Sequence, residues 1–132
     1  MTPPMTVLVV DDEPDVEPLF RQRFRRELRS GALSFAFAFS GEEALGVLDA
    51  RGPDVVLVLS DINMPGMDGI ALLRRIKAVP PPIPVCMMTA YGSDEYRRRA
   101  EDAGCDGYLT KPVDFDDLRS RIAALADSQA PS

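Results

Sequence analysis

Histidine is absent from the 132-residue chain, which carries only two cysteines and two lysines. Each shortage excludes something. Without histidine there is no histidine-based catalytic triad and no histidine-ligated zinc. Cys86 and Cys105 sit inside apolar or near-strand stretches and read as reduced, partly buried thiols of a cytosolic protein. No apolar run reaches the ~18 residues of a membrane span, and the N-terminus lacks a signal-peptide pattern. Negative charge also outweighs positive, with 21 acidic against 15 basic residues. The net charge of −6 argues against general nucleic-acid binding and against attraction to anionic membranes. What remains is an ordinary globular composition, 45% hydrophobic and 27% charged, in a length that suits one domain.

The most informative stretch is Leu59-Ser60-Asp61-Ile62-Asn63-Met64-Pro65-Gly66-Met67-Asp68-Gly69. A β-rich run over 55–59 leads into it from the turn signal Gly52-Pro53-Asp54, so a buried strand ends at a carboxylate and breaks into a Pro- and Gly-rich turn. A carboxylate at the end of a buried strand is costly unless something uses it.

The rest of the chain alternates around that strand. Residues 6–10 are a continuous apolar run, a strand covered on both faces, and they end at Asp11-Asp12-Glu13. Val16, Leu19, Phe20, Phe24 and Leu28 recur at helical spacing. With Asp15 as N-cap, Pro18 falls in the first turn, where its missing N–H costs little. The opposite face holds Arg21, Gln22, Arg25, Arg26 and Arg29, a solvated face before it is a docking surface. Residues 33–39 alternate phenylalanine with serine and alanine and suit a strand near a sheet edge. Ser40-Gly41-Glu42-Glu43 matches a capping box opening a helix to about residue 50.

After Asp61, residues 68–78 read as a helix with Ile70, Leu73 and Ile76 on its apolar side. The proline run at 80–84 cannot be helical and must connect in extended form. A fourth strand over 85–88 ends at Thr89-Ala90. Ser93 caps the next helix, with Asp94 and Glu95 suiting its first turn, and Gly104 closes it. A short strand over 106–109 stops at Thr110-Lys111-Pro112. Asp114 caps the last helix, which carries Leu118, Ile122 and Leu125, and a polar end begins at Asp127. The expected organisation is one domain over 1–127 with a disordered tail over 128–132. Five strand–helix alternations imply a parallel sheet with helices on both faces. In such sheets the ligand site lies beyond the carboxyl ends of the strands.

Those ends carry a set of groups: Asp11 and Asp12, then Asp61, Thr89 and Lys111. Two carboxylates about 4 Å apart repel by roughly 4 kcal/mol at an effective dielectric near 20. Three carboxylates with one ammonium leave the pocket near −2, which invites a divalent cation. Oxygen ligands alone favour Mg²⁺ or another hard ion. Neutralised in this way, the pocket can accept a phosphoryl group on one carboxylate, with Lys111 opposing its charge and Thr89 donating a hydrogen bond.

From about residue 5 to 125 the chain resembles the receiver domains of two-component response regulators, of the chemotaxis-regulator type. The matching residues are Asp11-Asp12-Glu13, the run from Asp61 to Gly69, Thr89-Ala90 and Lys111-Pro112, in order and spacing. The resemblance implies an α/β, flavodoxin-like three-layer sandwich: a five-stranded parallel sheet of order 2-1-3-4-5 with five helices on both faces. It puts Asp61 at the phosphoacceptor position. Asp12, Asp61 and the Asn63 carbonyl fall on the direct Mg²⁺ ligands, with Asp11 holding the metal through water. Thr89 and Lys111 match the phosphate-contacting pair, and Lys111-Pro112 a peptide bond that is usually cis. Tyr108 matches the aromatic that swings inward as the threonine moves. Tyr91 sits where water access to the phosphoryl group is tuned, so slow self-dephosphorylation is expected.

The implied function is a signalling receiver, not an enzyme in its own right, that assists its own phosphorylation at Asp61. Its implied partners are a sensor histidine kinase or histidine phosphotransfer protein, and a downstream protein target or an output domain. A cytoplasmic setting is expected, with no direct nucleic-acid or membrane contact. The implied readout surface is the fourth and fifth helices with the fifth strand, including Arg97, Arg98, Arg99 and Tyr108. A homodimer stays open, although no hydrophobic stripe supports one there. A phosphatase using an aspartyl phosphate would want a second acid two residues after the nucleophile, and that position is Asn63. A nucleotide switch would want a Gly-rich phosphate loop after the first strand, and none is there. A module whose acids bind metal only structurally is the remaining alternative. Taken singly, Asp11-Asp12 could simply end a strand, the Pro-Gly and Asp-Gly pairs could be turn chemistry, and Lys111 and Tyr108 could be surface and core residues. Their convergence favours the site.

Overall fold

The computed structural model describes residues 5–80, 82–90 and 94–129. Five parallel strands form one sheet: β1 (Met5–Val10), β2 (Leu33–Ala38), β3 (Val55–Asp61), β4 (Val85–Thr89) and β5 (Gly107–Thr110). Their order is β2-β1-β3-β4-β5, as expected. The apolar runs of β1, β3 and β4 form its buried centre, and β2 and β5 form its edges. Helices cover both faces. On one side α3 (Gly41–Arg51), α4 (Gly69–Lys77) and α5 (Asp94–Asp102) enclose a core that includes Leu8, Val58, Ile70, Leu73 and Met87. On the other, α1 (Val16–Arg23), α2 (Arg25–Ser30) and α6 (Phe115–Gln129) enclose Val9, Phe20, Phe24, Leu59 and Leu118.

Caps form at Ser40 and Asp114, where the sequence signalled them, and also at Asp68. The Ser40 hydroxyl accepts from the Glu43 N–H at 3.1 Å, and the Asp68 carboxylate from Ala71 at 2.8 Å. Asp114 Oδ1 accepts from the Asp116 and Asp117 amides at 3.0 and 3.1 Å. Gly104 takes φ +93° just past α5, a left-handed closure that suits glycine. Ser93, the expected cap of α5, lies outside the described residues.

Three expectations are corrected, and a fourth, the Asp15 cap, holds by position alone. Among the described residues there are six α-helices rather than five, because the first expected helix breaks at Phe24 (φ −109°, ψ 25°). Arg119 of α6 explains the break: its Nη2 donates to the Arg23 carbonyl at 2.7 Å, and its guanidinium lies 5.0 Å from the Phe24 ring centre. A side chain inserted into the helical ladder diverts a carbonyl from its own turn. Asp15 is the N-cap of α1 by position, but its side chain makes no capping bond. Leu19, expected on the apolar face, is 42% exposed. The last helix runs through Gln129, beyond the expected polar boundary at Asp127.

Candidate functional site

The parallel register brings the strand ends into one row, pairing Val10 with Ser60, Asp61 with Met88, and Thr89 with Thr110. Asp11 follows β1, Asp61 and Thr89 close β3 and β4, and Lys111 follows β5. Lys111 Nζ donates to Asp11 Oδ2 at 2.6 Å and to Asp61 Oδ2 at 3.4 Å. The Lys111 amide donates to the Thr89 carbonyl at 2.7 Å, fixing the root of the side chain. Asp11 Oδ1 accepts from the Glu13 N–H at 3.0 Å, and Asp61 Oδ1 from the Asn63 N–H at 3.4 Å. One carboxylate oxygen from each of Asp11, Asp12 and Asp61 lies within 4.8 Å of the others. Asp11 and Asp61 are buried and Asp12 is exposed, so the cluster has one solvent-facing ligand.

The electrostatics follow from this crowding. Burial pushes the Asp61 carboxyl above its ordinary pKa; the Lys111 ammonium opposes that rise and the Asp11 carboxylate adds to it. Burial pulls the Lys111 ammonium down, but its bond to Asp11 and the charges of Asp11 and Asp61 outweigh this and leave it raised. One cation is thus shared by acids that it does not fully neutralise. Hard oxygen donors at this spacing fit a divalent cation: the three clustered acids offer oxygen ligands, and the residual charge near −2 supplies the attraction.

The turn after Asp61 shows why the sequence folds as it does here. Pro65 leads into Gly66 at φ +76°, a left-handed position that suits glycine. Gly69 N–H donates to the Ile62 carbonyl at 2.8 Å. A Cβ at Gly69 would stand 2.0 Å from the Asp61 carbonyl oxygen. The first residue of α4 therefore packs directly on the backbone that carries Asp61, and only glycine leaves room.

With this geometry in hand, the chain matches the response regulator receiver domain family over residues 7–123. The chain belongs to that family. It is 34% identical to the response regulator MprA of Mycolicibacterium vanbaalenii over 97% of its own length and 53% of the relative's. It is 37% identical to the transcriptional regulatory protein PrrA of Mycobacterium tuberculosis, over 90% and 48% of the two chains. With ZraR of Salmonella typhimurium it shares 40% identity over 93% of its length and 27% of the relative's. This chain therefore spans about half the length of the first of these relatives, or less. Among solved structures, the Francisella response regulator 1452 receiver domain superposes with a TM-score of 0.81 at 29% identity, covering 95% of this chain and 98% of that one. A chain of the CheX–CheY–BeF3–Mg²⁺ complex from Borrelia burgdorferi gives 0.80 at 28% identity, covering 93% and 90%.

Receiver domains are signalling modules of two-component systems, and accepting a phosphoryl group is standard for the family. In this receiver domain the expected residues Asp11, Asp12, Asp61, Thr89 and Lys111 stand together at the carboxyl ends of the strands. Asn63 follows in the turn, exposed. Thr89 is fully buried. Lys111-Pro112 is cis. Tyr108 lies on β5 opposite Met87, half-buried, with its ring under the Arg97 guanidinium at 5.6 Å and its hydroxyl buried. Tyr91 lies outside the described residues. Among the described residues, no helix is long and apolar enough to cross a membrane.

Two features escaped the sequence reading. Gly69 looked like half of an ordinary turn pair, and its packing role needs coordinates. Lys77 had no assigned part, yet its Nζ donates to Asp106 Oδ2 at 2.6 Å and to the Ile83 carbonyl at 2.9 Å. The scarcity of lysine was the available signal.

Proposed function

We propose that Asp61 is the phosphoacceptor of this receiver domain, with Lys111 and Thr89 as its phosphate-contacting partners. The observation that carries this reading is one ammonium, Lys111, reaching two buried carboxylates beside a third acid. An Asp61 oxygen attacks the phosphorus of a partner's phosphohistidine in line, the P–N bond breaks, and the imidazole leaves with the electron pair and takes a proton. The chain has no histidine, so the phosphohistidine lies outside these residues, on a sensor histidine kinase or a histidine phosphotransfer protein. Asp12, Asp61 and the Asn63 carbonyl would hold Mg²⁺ directly, with Asp11 acting through water. When bound, the ion supplies positive charge against the phosphoryl oxygens. Lys111 orients and neutralises the same oxygens from the β5 side, and Thr89 donates its hydroxyl. With no second acid at Asn63, the residue two positions on, the phosphoryl group persists as a signal rather than turning over as in a hydrolase.

The switch we assign to Thr89 and Tyr108: Thr89 moves toward the phosphoryl group and Tyr108 fills the space it leaves. The readout face is α5, β5 and α6, presented in a cytoplasmic setting to a downstream protein or an output domain, with no direct role for nucleic acid or membrane. Tyr91 shields the aspartyl phosphate, so Tyr91→Ala should lose phosphate faster than wild type; an unchanged lifetime rules out that shield. The decisive experiment is labelling with acetyl phosphate and Mg²⁺. Asp61→Asn should take up no label, and labelling equal to wild type would refute the assignment.

A further inference from the structure

β2 is one edge of the sheet. Where it pairs with β1, the Ala32 and Ala38 carbonyls accept from the Met5 and Asp11 amides at 3.3 and 3.1 Å. The even-numbered residues thus turn their backbone toward β1. By the two-residue repeat, the N–H and C=O groups of Leu33, Phe35 and Phe37 point away from the sheet. Among the described residues, no strand pairs with them.

Proteins usually guard such an edge with lysine, proline or a bulge. Residues 33–39 hold no charged residue and no proline, and the pairing with β1 runs without a register shift. Phe39, just past the strand, is 37% exposed, and Leu19 on α1 is 42% exposed. The neighbour of Leu19, Phe20, meets the Phe35 and Phe37 rings at 5.8 and 6.5 Å, so α1 flanks this strand.

We propose that the β2 edge is a self-association surface, on which a second copy of this chain adds its own β2 antiparallel. Because the outward groups belong to odd-numbered residues, a two-fold axis at Ala36 makes hydrogen-bonded pairs of Phe35 with Phe37 of the second copy, and of Leu33 with Phe39. Ala36 then faces Ala36 across the axis, where side chains come closest and a small residue is needed. The occupant is a second copy because the strand is nearly palindromic about Ala36, with phenylalanine on either side. It also carries no charge to oppose itself, on a chain whose net charge of −6 repels its like elsewhere. Two five-stranded sheets join into one. The pairing uses no side chain of the acid cluster, so this association does not require phosphorylation.

The test is solution mass by light scattering across a concentration series of the full chain, without a phosphodonor. The expected result is a doubling of mass at high concentration that Phe39→Lys abolishes while its thermal melting stays close to wild type. In a Cys105→Ser background, Ala36→Cys should cross-link to a dimer under mild oxidation, since the Cα spacing of a facing non-hydrogen-bonded pair is ~4.5 Å, within disulfide reach. Ser34→Cys, which would face Ala38, should not. A monomeric mass at every concentration overturns the proposal. So does a dimer that survives Phe39→Lys, or one that cross-links at Ser34→Cys as readily as at Ala36→Cys.

Discussion

Lys77 and Lys111 stand toward opposite ends of the sheet, and each holds an aspartate at 2.6 Å. At the amino-terminal end the account balances. Lys77 meets Asp106 and the Ile83 carbonyl, and Asp106 Oδ2 also accepts from the Val85 N–H at 2.8 Å. One cation, one anion and backbone groups complete each other, so this clip seats the proline connector against the start of β4 and β5. At the carboxyl-terminal end the account does not balance. One ammonium serves Asp11 and Asp61, with Asp12 beside them, and burial raises the Asp61 pKa despite that ammonium. The same pairing therefore does different work: where charges close, it is structure; where they do not, it is a place for a ligand.

The sharpest way to break this contrast is to remove each ammonium in turn. Lys111→Met should slow acetyl-phosphate labelling by about tenfold to a hundredfold, which corresponds to roughly 1.4–2.7 kcal/mol of transition-state stabilisation. Lys77→Met should leave the labelling rate near wild type and cost about 1 kcal/mol of stability or less, since Asp106 is half exposed and solvent screens the pair. Equal losses of labelling in the two variants would erase the distinction. Gly69→Ala reads out in stability rather than in labelling. Its Cβ meets backbone 2.0 Å away, so α4 or the Asp61 carbonyl must move, at a cost of about 3 kcal/mol. A denaturation midpoint matching wild type would show that the packing has slack.

Much of this was legible in the sequence, for physical reasons. The continuous runs ending at Asp11, Asp61 and Thr89 fixed three buried strands and their functional ends, because a run covered on both faces admits few other readings. Ser40 and Asp114 announced helix starts through local capping chemistry. The break at Phe24 was not legible, because its cause is Arg119, far along the chain. The spacing of Leu19 suited an apolar face, yet periodicity cannot say how far a neighbouring element extends to cover it. Gly69 was visible as a turn residue, while its contact with the Asp61 carbonyl is a fact of three dimensions. Lys77 was conspicuous only by rarity; its partners come from the connector and the residue before β5.

The smallest effect is also the most specific to charge. The folded-state pKa of Asp61 is raised above 3.8, chiefly by burial. A raised acid means that the folded protein binds a proton at this site more tightly than the unfolded chain does. Ionisation therefore works against folding, and this group's contribution falls as pH climbs from the unfolded value through the folded one. In metal-free buffer Asp61→Asn removes that penalty while keeping a carbonyl oxygen to accept from the Asn63 N–H. The variant should melt a few degrees above wild type at neutral pH, and the gap should close as pH drops below the ordinary carboxylate range. Adding Mg²⁺ should shrink or reverse the gap at neutral pH, because only the wild-type carboxylate gains from the ion. A gap that is constant across pH and indifferent to Mg²⁺ would mean that the carboxyl end of the sheet carries no unbalanced charge, and the contrast with Lys77 would fail at its root.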